Sequence, residues 1–174
     1  MLKILGGLII NYNGEVKILD KERKFFDNNC VNVSYSEQNP YIFTKSLAFN
    51  IALNKNIDSS KMSNAIKQAK LEQFVQSLPN GLNTIIDEEN AQVSGGEKLR
   101  ISLARAFYLD KPIMLLDEIT ASLDKNLSEE IDNVISTLEG KLIINISHKY
   151  NKESCQKYDK ILVMKNGILQ EVRI

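Results

Sequence analysis

Tryptophan is absent from the 174 residues, proline occurs 3 times, cysteine twice and histidine once. The two cysteines, Cys30 and Cys155, are far apart and outside any C-x-x-C spacing, which argues against a disulfide framework or a zinc site and for a reducing, cytoplasmic setting. An excess of charge is lacking as well, because 22 Lys and Arg stand against 22 Asp and Glu. Without a global field, nucleic acid is disfavoured as the main partner. No apolar run approaches the roughly eighteen residues that would span a bilayer, so any membrane role would run through a partner. The apolar stretch before Asn11 is also too short for a secretory signal. What remains is 43% hydrophobic and 25% charged, the balance of a single globular domain with a core of its own.

Local patterns outline that core. Residues 2 to 8 are apolar with helical character, and Gly6-Gly7 is suited to a left-handed cap. Asn13 to Leu19 carries a turn signal followed by alternation, and Val31 to Tyr35 repeats the alternation, so both segments are expected as strands. Between Ser46 and Leu78, Met62, Ala65, Ile66 and Ala69 fall at helical spacing, which predicts several short helices ended by Pro79-Asn80-Gly81. Ser94 and Glu97 have capping-box spacing for a helix running to about Leu109 and stopped by Lys111-Pro112. Ile113 to Leu116 and Leu142 to Ile146 are continuous apolar runs of the kind buried on both faces of a parallel sheet. Between them, Asn126 and Glu129 suggest a second capping box, with Ile131, Val134, Ile135 and Leu138 on one stripe and Gly140 closing the helix. Asn166-Gly167 predicts a hairpin between Lys160–Met164 and Ile168–Val172. Strand, helix and strand alternate through this half, which defines an α/β layer fold with a parallel sheet.

Ligands of such sheets sit beyond the carboxyl ends of the strands. Two apolar runs end there in polar groups. Asp117-Glu118 offers one carboxylate for a hydrated magnesium ion and a second to orient or deprotonate a water. Ser147-His148 would bring an imidazole to the same edge. Gly95-Gly96, at the start of a helix, lets backbone amides approach an anion that the helix dipole favours.

Taken in order, these residues resemble the ATP-binding cassette proteins. Val93-Ser94-Gly95-Gly96-Glu97 is similar to the family's L-S-G-G-Q signature, with Val for Leu and Glu for Gln. Ile113 to Glu118 resembles a Walker B strand, Ala121-Ser122-Leu123-Asp124 a D-loop, Gln38 the Q-loop glutamine and His148 the switch histidine. Ile42 to Ile51 and Pro79 to Thr84 resemble the exporter type. The fold implied is a partial P-loop NTPase, RecA-like core with an inserted α-helical subdomain. Residues 1–45 would be residual core and Q-loop, 46–109 the helical subdomain with the signature, and 110–174 the core with Walker B, D-loop and H-loop.

The resemblance also implies roles. Glu118 would be the general base, His148 the γ-phosphate switch, and Gln38 the sensor of magnesium and attacking water, with Asp117 holding the Mg2+. Ser94, Gly95, Gly96 and Glu97 would meet ATP bound to a second nucleotide-binding domain, in a homodimer or heterodimer. Ser122, Leu123 and Asp124 would lie across that interface. A transmembrane domain would dock on the helical subdomain, placing the chain on the cytoplasmic face of the membrane.

The family's phosphate loop, G-x-x-x-x-G-K-[S/T], does not occur among the 8 glycines. Leu2 to Leu8 resembles the helix that follows this loop, so the expectation is a nucleotide-binding domain truncated just after Walker A. The segment 87–91 also lacks the glycines exporters often carry there. Three readings follow: an ATP-hydrolysing exporter subunit, an inactive module lending its signature face to a partner cassette, and a DNA-repair type ATPase. The last is disfavoured by the neutral charge and by the lack of sustained heptads. Whether this chain hydrolyses ATP stays open at this point.

Overall fold

The computed structural model describes residues 1–16, 32–54, 56–87, 93–148 and 152–172. A three-stranded parallel sheet organises them, in the order β1 (Val33–Ser36), β4 (Ile113–Asp117), β5 (Leu142–Ile146). The central strand is buried as its apolar run predicts, with Met114, Leu115 and Leu116 at most 1% exposed. The register sets Tyr35 opposite Leu115, and Asp117 opposite Ile146, so the polar ends of β4 and β5 emerge side by side. β5 itself is only half-buried, and Leu142 is exposed. It pairs on one side alone among the described residues, and an edge strand keeps part of its surface open.

Before β1, α1 (Leu2–Leu5) ends with Gly6 still right-handed, and the left-handed turn falls on Gly7 at φ 75°. A side chain at Gly6 would press on Leu115 Cδ1 and Leu2 O at 3.3 Å, so this glycine answers to packing on the sheet. The strand expected over 13–19 is not formed at 13–16, and the rest of it lies outside the described residues, as does Val31.

A two-residue strand β2 (Lys45–Ser46) pairs antiparallel with β3 (Ile85–Ile86) and frames the helical part. Here α2 (Leu47–Ala52) starts from Ser46, whose hydroxyl accepts from Phe49 N, and ends at left-handed Leu53. The next helix, α3 (Ser59–Gln68), starts from Asp58, whose carboxylate accepts from Ser60 and Lys61 amides. Its Met62, Ala65 and Ile66 are buried, as is Ala69 just beyond it, which matches the helical spacing. A third helix, α4 (Glu72–Ser77), closes the insertion, and a 3-10 turn at Gly81–Asn83 follows.

The longest helix, α5 (Gly95–Leu109), begins with the full capping box. Ser94 Oγ accepts from Glu97 N at 3.2 Å, and Ser94 N donates to Glu97 Oε2 at 2.7 Å. Such a cap contributes about 1 kcal/mol. The helix stops at left-handed Asp110, φ 50°, one residue before Lys111-Pro112. It packs against α2, α3 and β1 together, which explains buried side chains on more than one face: Ile101, Ser102, Leu103, Ala104 and Ala106. Ser36 donates to Ser102 at 2.9 Å in that buried contact.

Asn126 and Glu129 do not cap α6 (Lys125–Ser136). Asp124 does, accepting from Leu127 N at 3.0 Å, while Glu129 lies 3.8 Å from Lys125 one turn away. A carboxylate two residues earlier takes the cap first, and Asn126 is left inside the helix. Gly140, at φ 70°, serves the turn into β5 after α6 has ended at Thr137. A four-residue helix α7 (Lys152–Cys155) leads to the expected hairpin, β6 (Ile161–Lys165) and β7 (Ile168–Val172). Asn166 and Gly167 both have positive φ, the type I′ turn that suits strand twist.

Candidate active site

The polar residues predicted at the strand ends meet around one carboxylate. Gln38 Nε2 donates to Glu118 Oε2 at 2.8 Å, and His148 Nε2 lies 2.9 Å from Glu118 Oε1. The carboxylate is recessed, with 17% of its side chain exposed, whereas the imidazole is 80% exposed. Backbone geometry aims it. Glu118 sits at φ 52°, a left-handed conformation uncommon outside glycine, and its N–H donates to Ile146 O at 3.0 Å. That bond fastens the end of β4 to the end of β5, where Ser147-His148 follows.

Asp117, one residue earlier, faces a different partner. Tyr35 Oη donates to Asp117 Oδ2 at 3.0 Å across the β1 and β4 pairing. Burial pushes the Tyr35 phenol well above its usual range, helped by the hydrogen bond to Asp117 and by the charges of Asp117 and Glu37. The tyrosine therefore stays a donor at every physiological pH. Reasoning on sequence missed it. Its only signal is its place on a strand three residues before Gln38.

Across from these groups lies the start of α5. A cleft of about 270 Å3 is lined by Gln38, Pro40, Tyr41, Gly95, Lys98 and Ser122. Gly96 nearly touches the turn after β4, since a Cβ on it would meet Leu123 Cδ2 at 3.1 Å and Ser122 O at 3.5 Å. Gln38, Gly95, Gly96, Ser122 and Leu123 are thus gathered in one region. Two predicted residues are engaged locally: the Ser94 hydroxyl donates to Glu97 Oε2 at 2.8 Å, and Asp124 caps α6.

The segment after Gln38 is held by Asn50, inside the exporter-like stretch Ile42 to Ile51, and by Arg105, which lies outside the motifs. Fully buried Asn50 accepts from Phe43 N at 2.8 Å and donates to Phe43 O, Lys45 O and Ser46 O. Arg105 of α5 donates to Asn50 O and, at 3.1 Å, to Asn50 Oδ1, and its guanidinium lies over the Phe43 ring. Burial pulls Arg105 down to about 10, which leaves it charged at neutral pH.

Among the described residues no group of three or more His, Cys, Asp or Glu side chains could hold a metal ion. The donors present are hard oxygens, chiefly Asp117 and the Gln38 amide. They fit magnesium held by one or two protein oxygens together with waters and phosphates, and do not fit a closed protein cage. No helix among the described residues is long and apolar enough to cross a membrane.

A parallel sheet ending in Asp-Glu, with a glutamine and a histidine converging on the glutamate, defines an α/β domain of the P-loop ATPase class. The ABC transporter family model matches residues 1–121, and the chain belongs to that family. Its features are those of part of an ATP-binding domain of the exporter type. It is 35% identical over 141 residues to an ATP-dependent lipid A-core flippase of Saccharophagus degradans, covering 80% of this chain and 24% of that protein. With the glutathione/L-cysteine transport system ATP-binding/permease protein CydD of Bacillus subtilis it shares 33% identity over 169 residues, 95% of this chain and 29% of the relative. The structure of a bacterial Atm1-family ABC exporter with ATP bound superposes with a TM-score of 0.71 at 28% identity, over 80% of this chain and 24% of that one. The chain spans about a quarter of the length of such relatives.

Proposed function

We propose that these residues form the hydrolytic edge and the signature helix of an ATP-driven exporter. The observation that carries this reading is Glu118 held between Gln38 and His148 at the carboxyl end of β4. Glu118 acts as general base, taking a proton from a water that Gln38 orients. His148, exposed at the same edge, reaches the terminal phosphate. Asp117 and Gln38 would hold magnesium, which when bound would neutralise charge on the phosphate oxygens. Ser94, Gly95 and Gly96 meet ATP held by a second nucleotide-binding domain, with Glu97 fixing the start of the helix. Ser122, Leu123 and Asp124 lie at that interface. A transmembrane domain rests on residues 46–109, at the cytoplasmic face of the membrane. In the assembled transporter, Glu118→Gln is expected to lower ATP turnover by about a hundredfold or more while nucleotide binding persists. A variant within twofold of the wild type would overturn the assignment.

A second reading is favoured by the sequence itself, because a G-x-x-x-x-G-K-[S/T] loop is missing from the 174 residues. Amides and a lysine of that loop cradle the phosphates, so what these 174 residues by themselves offer a nucleotide is the Ser94 to Gly96 face, turned to a partner's ATP. Calorimetry with MgATP is expected to show no micromolar binding to the chain. Micromolar binding would remove this reading.

A further inference from the structure

We propose that Tyr35 is a positioning residue for Asp117, fixing which oxygen of that carboxylate is presented to a divalent cation. The proposal rests on the reading of Asp117 as the metal-holding carboxylate and extends it to the tyrosine that opens the Q-loop stretch.

The two acids at the end of β4 are oriented by separate partners. Glu118 is held by Gln38 and His148, whereas Asp117 Oδ2 accepts from Tyr35 Oη at 3.0 Å. The parallel register explains how the tyrosine arrives there. Tyr35 faces Leu115, and its long side chain reaches two residues further along β4 to the carboxylate. Its strand is anchored on both sides of it, by Ser34 Oγ donating to Ile113 O and by Ser36 Oγ donating to Ser102 Oγ. The ring lies against α1, where a Cβ added to Gly6 would come within 3.9 Å of Tyr35 Cδ2. The hydroxyl is thus delivered by a fixed strand. With Oδ2 engaged, Oδ1 is the oxygen directed to a cation or its bound water. Hydrogen bonds that orient a ligating carboxylate in this way typically change metal affinity by about tenfold or more when removed.

Tyr35→Phe keeps the ring and its packing and deletes only the donor. Two readouts on the 174-residue chain, labelled with 13C at the aspartate carboxyls, separate the outcomes. Exchange of H2O for D2O is expected to shift the Asp117 carboxyl signal in the wild type and not in Tyr35→Phe. Titration with Mn2+ alone is expected to broaden that signal, with about tenfold weaker apparent affinity in Tyr35→Phe and loss of binding in Asp117→Asn. If Asp117→Asn loses Mn2+ while Tyr35→Phe binds it as the wild type does, the positioning role is refuted and the reading of Asp117 stands. If the wild type shows no Mn2+ effect at Asp117, that reading fails and the proposal with it. A missing isotope shift in the wild type also refutes the proposal, because the hydrogen bond would then not exist in solution. A matching thermal transition for Tyr35→Phe excludes a folding defect as the cause of weaker binding.

Discussion

Replacing Asn50 by alanine tests whether the segment after Gln38 is held by the network seen here. The amide makes five hydrogen bonds from a fully buried position: to Phe43 N, Phe43 O, Lys45 O, Ser46 O and Arg105 Nη2. Alanine would strand the Phe43 N–H and take a donor from three carbonyls, of which Phe43 O keeps the Lys45 N–H at 2.7 Å, while Arg105 would keep its bond to the backbone carbonyl of residue 50. Each buried group left without a partner costs about 1–3 kcal/mol, and water reaches some of them beside half-exposed Phe43. The sum expected is about 3 kcal/mol. With a urea slope near 2 kcal/mol/M, the midpoint of a denaturation curve should fall by about 1.5 M. Asn50→Asp should be nearly as costly, because a carboxylate would face three carbonyl oxygens and gain only the attraction of Arg105. A midpoint shift below about 0.5 M for the alanine variant would refute the reasoning and show that the loop is fixed by its apolar contacts alone.

The two signature glycines should respond with opposite sign. Nothing lies within 4 Å of a Cβ at Gly95, so Gly95→Ala is expected to raise stability by about 0.5 kcal/mol through helix propensity. Gly96→Ala would push on Leu123 and lower it by about 1 kcal/mol, both read by thermal denaturation. Asp132 supplies a pH dependence. Burial raises its carboxyl pKa above the unfolded value, with Glu129 in support and Lys157 opposing, so the folded state holds the proton more tightly. Stability from this group therefore falls as pH rises from about 3.9 through the raised value and stays lowered above it. Asp132→Asn should be more stable than the wild type at pH 7, and the difference should vanish below the unfolded pKa. Equal stability of the two at pH 7 would show that Lys157 offsets the burial cost.

Local patterns determined much of this protein before any tertiary contact was considered. The capping box at Ser94 and Glu97, the buried run of β4, the Asn166-Gly167 hairpin and the helical spacing of Met62, Ala65 and Ile66 all depend on neighbours a few residues away. Such information is complete within a window of sequence. The ordered motifs also named Gln38, Asp117, Glu118 and His148, which the fold brings to one edge. Tertiary structure decided the rest. Gln38 and Glu118 are 80 residues apart, and Tyr35 and Asp117 are 82, so their contacts depend on the register of two parallel strands that no local pattern encodes. The left-handed turn at Glu118 goes with its bond to β5, and the half-exposure of β5 with its pairing on one side alone among the described residues. Asn50 and Arg105 read as a polar residue and a helix cation with no stated role until packing buries Asn50 fully and Arg105 in part and joins them. Spacing along the chain specifies elements, whereas burial and register assign the work of individual side chains.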